Sequence, residues 1–184
     1  MTRRSFVLLD RDGTVIEECN YLSDPGKIKL LPGVPSALRV FCDMGLGLAI
    51  ITNQSAVGRG FFNEDHLQHI HHRLSDLLAD EGICLDGIFY CPHTPEDHCC
   101  CRKPQPGLVE QAVGRFGFDP SASFVIGDKI CDLDLGRRVR ATTMLVRTGY
   151  GTQTEVKVTT QADYIVNSLA EAIPIIQSCL LNKT

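Results

Sequence analysis

The 184-residue sequence predicts an α/β fold, a parallel sheet with helices on both of its faces. Two observations carry that reading. Short apolar runs of strand length alternate with longer amphipathic stretches along the chain. Several of the runs read as buried strands, as expected where both faces of a sheet are covered.

Residues 5–9 form the first such run, and it ends on Asp10. Residues 20–29 are rich in turn formers and read as a loop or flap over the end of that strand. A helix is expected over 34–44 and a second strand over 46–52. Leu67, Ile70, Leu74, Leu77 and Leu78 have helical spacing within 64–80. A short strand over 87–90, a helix over 106–116 and a strand over 123–127 follow. The chain then reads as a short helix over 132–138, strands over 142–146 and 163–166, and a closing helix over 169–178. No internal repeat, low-complexity segment or linker divides it, so a single domain over 1–184 is expected.

Composition narrows the function classes. Hydrophobic residues make up 43% and charged residues 22%, which suits a globular protein with a substantial core. A formal net charge of −4, with no block of like charge, argues against nucleic acid and against an anionic membrane surface as partner. No apolar stretch has the length of a membrane span, and the opening MTRRSFVLLD lacks a cleavage pattern. The expected state is a cytoplasmic monomer acting on a small molecule. Nine cysteines in a reducing compartment point to a metal site or to buried thiols rather than disulfides.

In parallel sheets of this kind, ligands bind beyond the carboxyl ends of the strands. The polar residues there are Asp10-Arg11-Asp12, Thr52-Asn53 and Gly127-Asp128. Asp10 and Asp12 sit two apart, so a continuing strand would point them to one side, and Gly13 permits a sharp departure. Paired carboxylates favour a divalent cation, and hard oxygen ligands suit Mg²⁺. One carboxylate can attack phosphorus while the other moves a proton.

LLDRDGTVI resembles the DxDGT signature of the haloacid dehalogenase-like phosphatases. Three further motifs follow in that family's order: Thr52 in IITNQS, Lys103 in CRKPQPG, and Asp128 with Asp132 in GDKICD. The resemblance covers nearly the whole chain. It implies the family's Rossmann-like fold, with motif spacing that leaves no room for a large cap domain. It also implies Asp10 as a nucleophile that becomes an aspartyl phosphate, and Asp12 as proton donor and then base. Thr52 and Lys103 would hold the phosphoryl oxygens. Mg²⁺ would be held by Asp10, the Asp12 carbonyl and Asp128, with the Lys129 backbone nearby, and Asp132 would orient Lys103. Arg11, Glu18, Cys19, Asn20, Tyr21, Asn53, Gln54, Ser55 and Arg102 would border a phosphorylated sugar.

Between Tyr90 and Lys103 lie Cys91, His93, His98, Cys99, Cys100 and Cys101. The C-x-H and C-x-C pairs fit a tetrahedral Zn²⁺ site of Cys91, His93, Cys99 and Cys101, with His98 or Cys100 as substitutes. Such a zinc-binding loop would aim Arg102 and Lys103. The combination resembles the histidinol-phosphatase-like branch of the family, which implies a sugar phosphate or histidinol phosphate as substrate. A catalytically silent, zinc-stabilised binding protein is the rival from another class. Cys19, Cys42, Cys84, Cys131 and Cys179 are scattered and read as core or incidental. His66, His69, His71 and His72 read as a solvated polar face of the long helix.

Overall fold

The computed structural model describes residues 4–157 and 162–182. Residues 1–3 of the opening segment therefore lie outside the described residues. Six parallel strands form one sheet, β1 (Phe6–Leu9), β2 (Gly47–Asn53), β3 (Gly87–Cys91), β4 (Phe124–Gly127), β5 (Thr142–Val146) and β6 (Tyr164–Val166), in the order β3-β2-β1-β4-β5-β6. The order reverses direction at β1, between β2 and β4. Ligand crevices of doubly wound sheets open at such a point.

The helices are α1 (Val34–Asp43), α2 (Ser55–Gly58), α3 (Glu64–Asp80), α4 (Gly107–Phe116), α5 (Ile130–Arg138), α6 (Gly151–Glu155) and α7 (Leu169–Leu181). Strand alternation distributes them. Val7, Leu9, Leu48, Ile50, Phe124 and Ile126 face one side and bury the apolar stripes of α1, α3 and α7. Phe6, Leu8, Ala49, Ile51 and Val125 face the other and bury α4 and Leu135 of α5. Every central strand is thus apolar on both faces, which is why those runs carry almost no polar residue.

The expected elements are present, with shifts of one or two residues at most ends. Two differences matter for the site. α2 and α6 are single turns directly after β2 and β5, too short for periodicity to reveal. α5 begins at Ile130, because the Asp132 carboxylate reaches back to the Lys129 amide at 3.0 Å and closes the first turn there.

The histidines of α3 do not all lie on a solvated face. His69 and His72 are exposed, but His71 is only 4% exposed and packs 5.3 Å from the Tyr90 ring. His66 reaches the Ser23 carbonyl and ties the flap to α3. His71 lies four residues after Leu67 and three before Leu74, inside the buried stripe. Burial, with Arg11 and His72 adding to it, lowers its pKa from 6.5 to about 3. The folded ring stays neutral while an unfolded one takes a proton. Its contribution to stability is complete above pH 6.5 and is lost as pH falls toward 3. Urea unfolding should show a loss near 2 kcal/mol between pH 7 and about pH 5 that His71→Leu lacks. Equal pH dependence in both proteins would refute this.

Candidate active site and metal centres

The carboxyl ends of β1, β2 and β4 converge on a cleft of about 280 Å³. It is lined by Asp10, Arg11, Asp12, Glu18, Cys19, Asn20, Tyr21, Thr52, Asn53, Gln54, Ser55, Arg102, Lys103 and Lys129, among others. The motifs of the first, second and fourth strands therefore meet in space, and the flap and the cysteine-rich loop form the rim.

Asp10 is buried at the end of β1. Its Oδ1 accepts from the Arg11 amide at 2.8 Å and lies 2.9 Å from Lys103 Nζ. Its Oδ2 accepts no hydrogen bond from the described residues and lies 4.0 Å from Lys129 Nζ. Burial works to raise the Asp10 pKa, but Lys103, Lys129 and the Arg11 amide hold it below the usual carboxylate value. One oxygen is anchored and the other is an ionised, accessible electron pair.

Lys103 is 4% exposed and reaches three acceptors: Asp10 Oδ1, Asp132 Oδ1 at 2.6 Å and the Ile51 carbonyl at 2.7 Å. An ammonium has three N–H donors, so the set is complete. Burial disfavours the charge, yet Asp10 and Asp132 raise the pKa well above that of a free lysine. Asn53 fixes the backbone from which Lys103 springs. Its Oδ1 accepts from the Lys103 amide at 2.9 Å, and its Nδ2 donates to the Lys103 carbonyl at 3.2 Å.

Asp12 is held by a clamp. Arg11 Nε and Nη2 donate to its two oxygens at 3.0 and 3.1 Å, and Gln54 Nε2 donates to Oδ2 at 2.9 Å. Gln54 also donates to Thr52 Oγ1 at 2.9 Å and accepts from Arg11 Nη2 at 2.9 Å. Arg11 lines the cleft. Its side chain is 1% exposed and turned inward, because the Asp12 carboxylate offers a two-pronged partner that matches the guanidinium fork.

Asp128 is fully buried, and its Oδ1 accepts no hydrogen bond among the described residues. Its Oδ2 accepts from the Tyr150 amide at 2.8 Å. Burial raises its pKa to about 7, assisted by Asp10 and Asp132 and opposed by Lys129 and the Tyr150 amide. Gly13 at φ +82° and Gly149 at φ +56° pack against this carboxylate, and a Cβ at either would strike Asp128 Oδ2. Asp10, Asp128 and Asp132 bring carboxylate oxygens within 4.8 Å of one another. Asp132 is occupied by Lys103 and the Lys129 amide. Asp128 Oδ1 has no hydrogen-bond partner among the described residues, and a cluster of hard carboxylate oxygens around it suits a small divalent cation.

Cys91, His93, Cys99 and Cys101 form a second cluster. The Cys91–Cys99 and Cys101–Cys99 sulfur pairs are 3.5 Å apart, Cys101–Cys91 is 3.2 Å, and His93 Nδ1 lies 3.5 Å from Cys91 and 3.3 Å from Cys101. Four ligand atoms at mutual separations near those of a tetrahedron's edges suit a soft cation, for which metal–sulfur bonds of about 2.3 Å are usual. Cys100 and His98 are exposed and outside the cluster, and His98 sits at φ 47° as the chain turns. Arg102, next in sequence, donates to the His93 carbonyl at 3.1 Å while still lining the cleft.

In the rim, Glu18 pairs with Lys129 at 3.0 Å, and Tyr21 is 47% exposed against Phe61. Tyr150 and Cys131 line the cleft without having been singled out from sequence. Tyr150 follows β5, with its ring 5.2 Å from Lys129 Nζ and its hydroxyl 3.5 Å from Asn20. The rule that found the other strand ends applies equally to Thr148-Gly149-Tyr150. Cys131 carries no sequence signal. It lies inside α5 beside Asp132, where burial first and that carboxylate second push its thiol up to about 12.

Comparison with known proteins agrees with this geometry. The HAD-hydrolase-like family profile matches residues 100–172. A D-glycero-beta-D-manno-heptose-1,7-bisphosphate 7-phosphatase of Pasteurella multocida is 36% identical over 178 residues, covering 93% of this chain and 96% of that protein. The Yersinia pestis enzyme of the same name is 38% identical over 173 residues, covering 90% and 91%. A crystal structure of the D,D-heptose 1,7-bisphosphate phosphatase from B. bronchiseptica, complexed with magnesium and phosphate, superposes with a TM-score of 0.87. It is 30% identical and covers 98% of this chain and 99% of that one. No helix among the described residues is long and apolar enough to cross a membrane.

Proposed function

This chain belongs to the haloacid dehalogenase-like phosphatases, in the branch of the heptose 1,7-bisphosphate 7-phosphatases, and on that premise we propose that it hydrolyses the 7-phosphate of D-glycero-D-manno-heptose 1,7-bisphosphate. The observation that carries the reading is Asp10, with one oxygen anchored by Lys103 and the Arg11 amide and the other accessible in the cleft.

In this reading Asp10 Oδ2 attacks phosphorus. The bond to the sugar oxygen breaks, and that oxygen takes a proton from Asp12. The product alcohol leaves Asp10 as an acyl phosphate. Asp12, now a carboxylate, removes a proton from water as the water attacks the same phosphorus, which restores Asp10 and releases phosphate. Arg11 and Gln54 hold the Asp12 carboxyl toward the leaving oxygen. Thr52 holds one non-bridging oxygen, and Lys103 turns a donor from Asp10 Oδ1 to another as the ester binds, where charge must be stabilised. Asp10, Asp128 and the Asp12 and Lys129 backbones would hold Mg²⁺, which supplies charge neutralisation for a dianionic ester. Arg102 and the flap residues Glu18, Cys19, Asn20 and Tyr21, with Asn53 and Ser55, border the sugar. Arg102 is the rim cation suited to a second phosphate.

Phosphate release should be measured across sugar mono- and bisphosphates and histidinol phosphate, with Mg²⁺ present and chelated. The heptose bisphosphate should show the highest kcat/KM and lose its phosphate only from the 7-position. Faster turnover of histidinol phosphate would overturn the substrate assignment.

We assign Zn²⁺ to Cys91, His93, Cys99 and Cys101, as a closed structural site that stiffens the loop carrying Arg102 and Lys103. One zinc per chain should be measured in protein purified without chelator. Its removal should lower the thermal midpoint by at least about 10 °C, the equivalent of a few kcal/mol for a domain this size. Freshly purified protein without zinc would end the assignment.

A further inference from the structure

Among the described residues four buried side-chain atoms lack a hydrogen-bond partner: Arg11 Nη1, His71 Nε2, Thr14 Oγ1 and Asp128 Oδ1. The first two lie around one strand pair beneath the cleft. Their residues are 1% and 4% exposed. Buried polar atoms are nearly always paired, directly or through a buried water, so two such atoms in one region call for a common account. They are complementary. A guanidinium N–H can only donate. A neutral imidazole protonated at Nδ1 keeps an acceptor at Nε2.

Their placement brings them together. Thr52 continues the β2 face of Leu48 and Ile50, which α3 covers. Tyr90, opposite Thr52 on β3, bonds to Gln68 and Glu64 of α3, so it lies on that face too. His71 packs against the Tyr90 ring from α3. Gln54 links Thr52 to Arg11 from the cleft side. Arg11 and His71 thus flank the Thr52–Tyr90 pair, and the Arg11 charge is felt at the His71 ring.

We infer that His71 is a positioning residue for Asp12: Nε2 accepts, across one buried water, from one of the two N–H groups of Arg11 Nη1, and fixes the guanidinium that orients the Asp12 carboxyl. The inference rests on Asp12 being the acid of the reaction. It adds a residue that touches neither substrate nor metal. With Nη1 anchored, Arg11 cannot rotate about its long stem, and Asp12 keeps its aim toward the leaving oxygen. A neutral acceptor is what the site needs, because a cation here would repel Arg11.

The test compares kcat/KM for a sugar phosphate, whose alkoxide must be protonated as it leaves, with that for p-nitrophenyl phosphate, whose phenolate need not be. This ratio reports the first chemical step and is blind to later breakdown of the acyl phosphate. His71→Leu should lower the sugar-phosphate value about tenfold and the aryl value less than about twofold. His71→Gln, whose amide oxygen can accept, should stay within about threefold of the parent on both esters. Near-UV circular dichroism confirms that each variant is folded. Equal losses on the two esters, or His71→Gln as impaired as His71→Leu, would overturn the inference. Asp12→Asn separates it from its premise. If that variant fails to discriminate between the esters, the role of Asp12 falls and the inference with it. If it discriminates and His71→Leu does not, the inference alone falls.

Discussion

Asp10→Asn is expected to lower turnover at least about 10⁴-fold while leaving the fold and its thermal midpoint nearly unchanged. The two halves of that expectation have separate causes. An amide oxygen is a poor nucleophile toward phosphorus, and nothing else in the cleft replaces it: Asp12 is clamped by Arg11 and Gln54, and Asp132 is held by Lys103 and the Lys129 amide. The fold survives because Lys103 keeps Asp132 and the Ile51 carbonyl as partners. Removing one of three crowded carboxylates also relieves Asp128, whose pKa Asp10 helps to raise. Steady-state kinetics and calorimetry check both halves. Trapping the acyl phosphate with hydroxylamine should label the parent protein at Asp10 and leave the variant unlabelled. Residual activity above a few per cent would sink the covalent mechanism, whatever the variant's stability.

Much of this site can be read along the chain, for a physical reason. Strands buried on both faces admit almost nothing polar, so the first carboxylate or hydroxyl after each apolar run stands out. Asp10, Thr52 and Asp128 stand out in this way. The cysteine-rich loop is legible because ligand spacing within one loop is local. The clamp on Asp12 is not. It needs Gln54, 43 positions from Arg11, to bond both the guanidinium and the Asp12 carboxylate. The residue type of His71 points to solvent, whereas its angular position between Leu67 and Leu74 puts it in the buried stripe. The strand order, and so the crevice at β1, follows from pairings that no local pattern encodes.

Lys103→Met should be the most damaging single substitution to stability and activity together. Methionine keeps the unbranched stem that crosses the interior and removes only the charge. Asp10 and Asp132 then remain buried around a missing cation, the situation in which breaking an ion pair costs about 3–5 kcal/mol. The sign with pH identifies the cause. In the parent, Lys103 and Lys129 hold the Asp10 pKa low against burial. Without Lys103, burial dominates and the folded pKa rises above the unfolded one. The folded state then binds protons more tightly, so the variant regains stability as pH falls and loses it as pH rises. Its deficit should be largest near neutrality and clearly smaller at about pH 5. Turnover should fall on the order of 10³-fold, since the buried cation beside Asp10 is gone. Lys103→Arg should not restore it, because a planar fork cannot reach Asp10, Asp132 and the Ile51 carbonyl from one nitrogen. Urea unfolding of parent and variant at the two pH values decides the matter. A deficit independent of pH would mean that Lys103 stabilises the protein through its stem, and that its charge contributes nothing to the fold.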